Sequence, residues 1–62
     1  MQLKKLRNDA GLSQEFVARN LNVSRITVKN WEDERTVPPA DKAVRLARLF
    51  GITVEELMEV KK

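Results

Sequence analysis

Apolar positions recur at helical spacing in five stretches of the chain, each bounded by residues that start or stop helices. In the first, Leu3, Leu6 and Ala10 share a face opposite Lys4, Lys5 and Asp9. This predicts a helix from about Gln2 to Ala10, with Gly11 just beyond its end. Ser13 is placed to cap a second helix ending near Asn20, with Leu12 stapled against Val17. Phe16, Val17 and Leu21 are its expected core bulk, Ala18 permits a close neighbour, and Asn22 suits a left-handed turn. Ser24 repeats the cap for a third helix reaching Glu32, with Val23 stapled against Val28. Val37-Pro38-Pro39 stops any helix and leaves Asp33 to Pro39 as an extended loop. A fourth helix, about Ala40 to Phe50, should point Ala43, Val44, Leu46, Ala47 and Phe50 inward and Arg45 and Arg48 outward. Gly51 ends it and Ile52 follows as the apolar residue beyond the cap. Thr53-Val54-Glu55-Glu56 is a capping box, stapled by Ile52 and Leu57, for a fifth helix of about Val54 to Val60. The reading is all-α.

Length changes this picture by limiting the core. A chain of 62 residues is expected to form a single domain, 1–62. At that size only about 60% of the unfolded surface is buried. The sequence contains neither Cys nor His, which excludes disulfides and thiolate or imidazole zinc sites. Stability must therefore come from capped, closely packed helices. No apolar run approaches the roughly 20 residues of a membrane span, and the first ten residues lack a signal-peptide core. The chain reads as soluble and cytoplasmic. Twelve basic residues against nine acidic ones give a net charge of +3, compatible with nucleic acid but not diagnostic of it.

Candidate chemistry concentrates on the third helix. Laid out at 100° per residue, Ser24, Val28 and Trp31 fall on one arc, and Arg25, Ile26, Lys29, Asn30 and Asp33 on the other. The second arc offers a guanidinium, an ammonium, a carboxamide and a branched alkyl side chain on one surface. Those groups can read base edges in a DNA major groove: Arg25 to guanine O6 and N7, Asn30 to adenine. Each has a plainer reading too. Basic residues at i and i+4 decorate many helix surfaces, and a single exposed Ile26 needs no explanation. Trp31 reads as core, not as a stacking platform. Lys4, Lys5, Lys61 and Lys62 read as solvated surface. Val54, Met58 and Val60 on the last helix form either a two-fold interface or the rim of a thin core. With no His, no Cys and no suitable carboxylate cluster, nothing assembles an enzyme site, and no cofactor, metal or small-molecule ligand is expected.

The stretches LKKLRNDAGLSQ at 3–14, LNVS at 21–24, VKNWE at 28–32, Pro38 and LARLFGITVEEL at 46–57 resemble the Cro/repressor-type, XRE-like helix-turn-helix family over nearly the whole chain. The resemblance implies a compact five-helix, lambda-repressor-like domain with the helix-turn-helix in helices 2 and 3. It implies binding to a two-fold double-stranded DNA operator, usually as a homodimer. It also implies residue roles: Gln14 and Ser24 at backbone phosphates, and Arg25, Ile26 and Asn30 at bases with Lys29 on the edge. Arg7 and Glu32 would bridge helix one to helix three, and dimer contacts would come from the last helix. Two positions depart from the pattern. Asp33 and Glu34 stand where relatives often carry a basic residue and then Gly. They bring two carboxylates toward the phosphate path, partly offset by Arg35, which joins Gln14 and Ser24 as an expected phosphate contact, and remove an easy tight turn. Pro39 replaces a common Ser or Thr cap.

The leading functional expectation is a transcriptional regulator, most commonly a repressor in this family. The alternative is a protein-interaction module or antitoxin that keeps the fold with weak specific DNA binding, favoured by Asp33, Glu34 and the low net charge.

Overall fold

The computed structural model describes residues 1–59. Among these residues it contains five helices and no strand: α1 (Leu3–Asp9), α2 (Gln14–Leu21), α3 (Arg25–Glu32), α4 (Ala40–Phe50) and α5 (Val54–Met58). Three helix starts are fixed by side chains, as the sequence predicts. Ser13 Oγ accepts from Phe16 N–H at 3.0 Å, and Ser24 Oγ from Thr27 N–H at 3.2 Å. Thr53 Oγ1 accepts from Glu56 N–H at 3.0 Å, while the Glu56 carboxylate accepts from Thr53 N–H at 3.1 Å, closing the capping box. Pro39 occupies the cap position of α4 without a side-chain bond, and Asp41 places negative charge in that helix's first turn.

The exits of α1 to α4 share one device. Gly11, Asn22, Glu34 and Gly51 all adopt positive φ, between 58° and 71°. The next residue's N–H then reaches back five positions: Leu12 to Arg7, Val23 to Ala18, Arg35 to Asn30 and Ile52 to Ala47, at 2.9–3.0 Å. These bonds satisfy carbonyls that the last helical turn leaves open. Leu12, Val23 and Ile52 also pack on the core, whereas Arg35 is exposed. The tight turn after α3 therefore forms without glycine: Glu34 takes the left-handed conformation itself, at φ 60°.

The core gathers Leu3, Val17, Ala18, Leu21, Val28, Trp31, Ala43, Leu46 and Leu57. In it α2 packs on α3 and α4 on α5, while α1 meets α3 and α2 meets α4.

Four expectations need correction. Phe16 and Val44 are exposed, at 45% and 40%, not core. Buried positions on α2 are Val17, Ala18 and Leu21, and on α4 Ala43, Leu46 and Ala47. So small a core covers a narrow stripe on each helix, and a residue about 100° away lies beyond it. Ser24, assigned to the buried arc of α3, is exposed, because it stands outside the helix as its cap. Ala10 is likewise exposed, as the C-cap of α1. Finally, α5 stops at Met58, with Glu59 extended. The Leu57 carbonyl accepts from Gln2 N–H at 3.0 Å, a bond that ties the two ends together and competes with helix continuation. Val60, Lys61 and Lys62 lie outside the described residues.

Candidate nucleic-acid interface

Helix α3 is presented by what lies beneath it. Val28 and Trp31 are buried, 0% and 3% exposed, and fix the helix by apolar packing. Glu32, with its side chain only 2% exposed, fixes it by charge: Arg7 Nε donates to Glu32 Oε2 at 2.6 Å and Arg7 Nη2 to Oε1 at 3.3 Å. The same guanidinium donates through Nη1 to the Leu12 carbonyl at 2.7 Å. Gln14 Nε2 completes the network with a bond to Glu32 Oε1 at 2.9 Å. Glu32 thus joins α1, the start of α2 and the end of α3. A partly buried pair with this hydrogen bonding orients its elements, although desolvation offsets part of its Coulomb attraction.

On the other side, Arg25 and Lys29 are exposed, Ile26 is 59% exposed, and Asn30 is half-buried. All four stand on the face turned away from Val28 and Trp31. Lys29 is engaged by Asp33, its Nζ donating to Asp33 Oδ2 at 2.9 Å. That hydrogen bond, opposed by desolvation and reinforced by the charges of Lys29, Arg35 and Lys4, holds the Asp33 carboxyl below its usual range. The lysine–aspartate spacing of four residues on one helix was visible in the sequence as an i,i+4 pair. Gln14's link to Glu32 spans eighteen positions and had no local signal.

The residues assigned to phosphate divide in the structure. Ser24 is exposed at the N-terminus of α3, its hydroxyl also 2.8 Å from Thr27 Oγ1. Gln14 stands at the first position of α2, half-buried, with one amide hydrogen directed to Glu32 and a second still to be directed. Arg35 is exposed beyond the α3 exit, its backbone N–H on the Asn30 carbonyl. On α5, Val54 and Met58 are half-buried against the core rim. Met58 also lines a shallow groove with Trp31, Thr36 and the 67%-exposed Val37.

Among the described residues, no helix is long and apolar enough to cross a membrane. The model of the family described as Helix-turn-helix matches residues 3–57. Over 57 residues, 92% of this chain, it is 32% identical to the HTH-type transcriptional activator BcrR of Enterococcus faecalis, covering 28% of that protein. Over the same share it is 32% identical to the HTH-type transcriptional regulator YobD of Bacillus subtilis, covering 51% of it. A third relative, an HTH-type transcriptional regulatory protein of Sulfurisphaera tokodaii, is 44% identical over 50 residues, 81% of this chain and 17% of the relative. The chain thus spans about half or less of the length of each of these relatives. With α2 packed on α3 through the Asn22 turn and the family match running from α1 into α5, the chain belongs to the XRE-like helix-turn-helix family of DNA-binding transcription regulators.

Proposed function

We propose that the chain binds double-stranded DNA sequence-specifically, with α3 in the major groove, as the DNA-reading unit of a transcriptional regulator and not as an enzyme. The observation that carries this reading is the division of α3 between two faces. Val28, Trp31 and Glu32 are held inward, while Arg25, Ile26 and Asn30 are offered outward on a helix whose orientation the Arg7–Glu32–Gln14 network restricts. Side chains that read bases need such a rigid mount, since phosphate contacts position a protein but carry no sequence information. Arg25 pairs with guanine, Asn30 with adenine, and Ile26 lies against a thymine methyl. Gln14, Ser24 and Arg35 contact phosphates, the first two aided by the N–H groups at the starts of α2 and α3.

The regulator acts as a homodimer on a two-fold operator and most simply represses by occupancy. Val54, Met58 and Val60 are the proposed dimer contacts; the groove that Met58 lines with Trp31 and Val37 supports the placement at Met58 alone. Two copies reading one face of the duplex require half-sites about 10 base pairs apart.

Selection from a pool of random duplexes at two salt concentrations tests the reading. A palindromic motif that is lost in Arg25→Ala or Asn30→Ala is the expected result. Retention without any motif, erased by salt, would mean phosphate attraction alone and would favour a protein-interaction module or antitoxin instead.

A further inference from the structure

One cation on the edge of the proposed DNA-facing surface is not free. Lys29 Nζ lies 2.9 Å from Asp33 Oδ2, one turn along α3, with the two side chains 51% and 39% exposed. Arg25, one turn earlier, makes no ion pair among the described residues. Lys4 and Arg35 act on the Asp33 charge from a distance, but Lys29 is the cation that hydrogen-bonds it. Duplex DNA attracts any open cation regardless of sequence, through release of condensed counterions. Each phosphate neutralised adds about 0.9 to the slope of log affinity against log salt. A lysine already paired with a carboxylate one turn away must give up that pair to neutralise a phosphate, and so contributes less to that term. It also lets α3 approach the groove with less sequence-independent attraction, leaving discrimination to Arg25 and Asn30.

We infer that Asp33 is a specificity-determining residue that acts through Lys29, withholding its ammonium from phosphates and so suppressing binding to non-cognate duplex. This rests on the DNA-reading role proposed for α3. The alternative role for the carboxylate is plain through-space repulsion of the duplex, which would not depend on Lys29. The two are separated by a double-mutant cycle, because an effect that acts through a partner vanishes when the partner is removed.

The measurement is affinity for a random-sequence duplex across a fourfold range of salt, with wild type, Lys29→Gln, Asp33→Asn and the double variant. Lys29→Gln alone should weaken binding slightly, with a fall in salt slope well short of the roughly 0.9 expected for an ammonium that meets a phosphate. Asp33→Asn should tighten binding and steepen the slope by about 1, roughly a threefold greater loss of affinity over that salt range. In the Lys29→Gln background, Asp33→Asn should give a clearly smaller gain, that of relieving the uncovered carboxylate's own repulsion alone. An equal gain from Asp33→Asn in both backgrounds overturns the inference, as does no measurable duplex affinity in any of the four proteins. Asp33→Ser serves as a second version, with helix content checked for each protein. Failure of the DNA-reading role itself has a different signature: duplex binding with no motif selected by wild type or by Asp33→Asn, which leaves the charge cycle readable.

Discussion

At the end of α2, Asn22 turns left-handed, Val23 N–H bonds back to the Ala18 carbonyl at 3.0 Å, and the Val23 side chain packs on the core. At the end of α3, Glu34 turns left-handed and Arg35 N–H bonds back to the Asn30 carbonyl at 2.9 Å, but Arg35 is exposed. The backbone solution is the same and the anchoring differs. The α2 exit is held by apolar burial. The α3 exit lacks that anchor and is instead held one turn earlier by the Glu32 ion pair and its Gln14 bond. Apolar anchoring suits a turn between two core helices. Charged anchoring leaves the following segment free to carry a cation outward, where a phosphate can meet it. The difference therefore marks the boundary between the part of the molecule that folds it and the part proposed to meet DNA.

The largest test of this contrast is to remove the charged anchor. Glu32→Ala strands Arg7, whose side chain is only 12% exposed, and should cost about 3–5 kcal/mol of stability. In so small a protein that loss approaches complete unfolding, readable by circular dichroism in a urea titration. Next, Val23→Arg gives the α2 exit the chemistry of the α3 exit. With no ion-pair network there to compensate, it should cost about 1 kcal/mol, since Val23 is only partly buried. Indifference of the melting curve to that change would mean that the apolar anchor is dispensable and that the contrast has no energetic content.

Smaller effects sharpen the comparison. Glu34→Gly relieves a left-handed residue that bears a side chain and should stabilise the fold by roughly 0.5–1 kcal/mol. It sacrifices only the contact of the Glu34 carboxylate with the Met1 ammonium at 3.0 Å, where Glu34 is 63% exposed and such a pair is weak. A lower melting temperature for Glu34→Gly would show that this contact outweighs the strain. Arg35→Leu should leave stability within about 0.5 kcal/mol. It should weaken binding to all duplexes alike and lower the salt slope by about 1, the behaviour of a phosphate contact and not of a base reader.

Much of the fold was legible locally. Ser13, Ser24 and Thr53 cap because a hydroxyl placed before a helix accepts an unpaired N–H wherever the helix is later packed. Asn22, Gly11 and Gly51 mark exits because the left-handed conformation is a property of a single residue. Phe16 and Val44 misled for the opposite reason. Their hydrophobicity is local, but whether a neighbour covers them depends on how wide a stripe the core can offer. Glu34 is a further case: its side chain gives no reason for positive φ, and only the structure shows that the α3 exit uses it so.

The candidate interface divides the same way. Amino-acid order alone puts Arg25, Ile26 and Lys29 on one surface of α3, because helical spacing fixes angles within a helix. It also sets Lys29 within reach of Asp33, because four residues make one turn. Family resemblance supplied the pairing of Arg7 with Glu32. Composition and periodicity could not, since twenty-five positions separate them. Gln14's place in the same network, the exposure of Arg35 and the direction in which α3 faces were settled only when α1, α2 and α3 packed together. Helix starts and stops follow from short-range hydrogen bonding, which the sequence encodes residue by residue. Which surface faces outward follows from long-range burial, which only the assembled core decides.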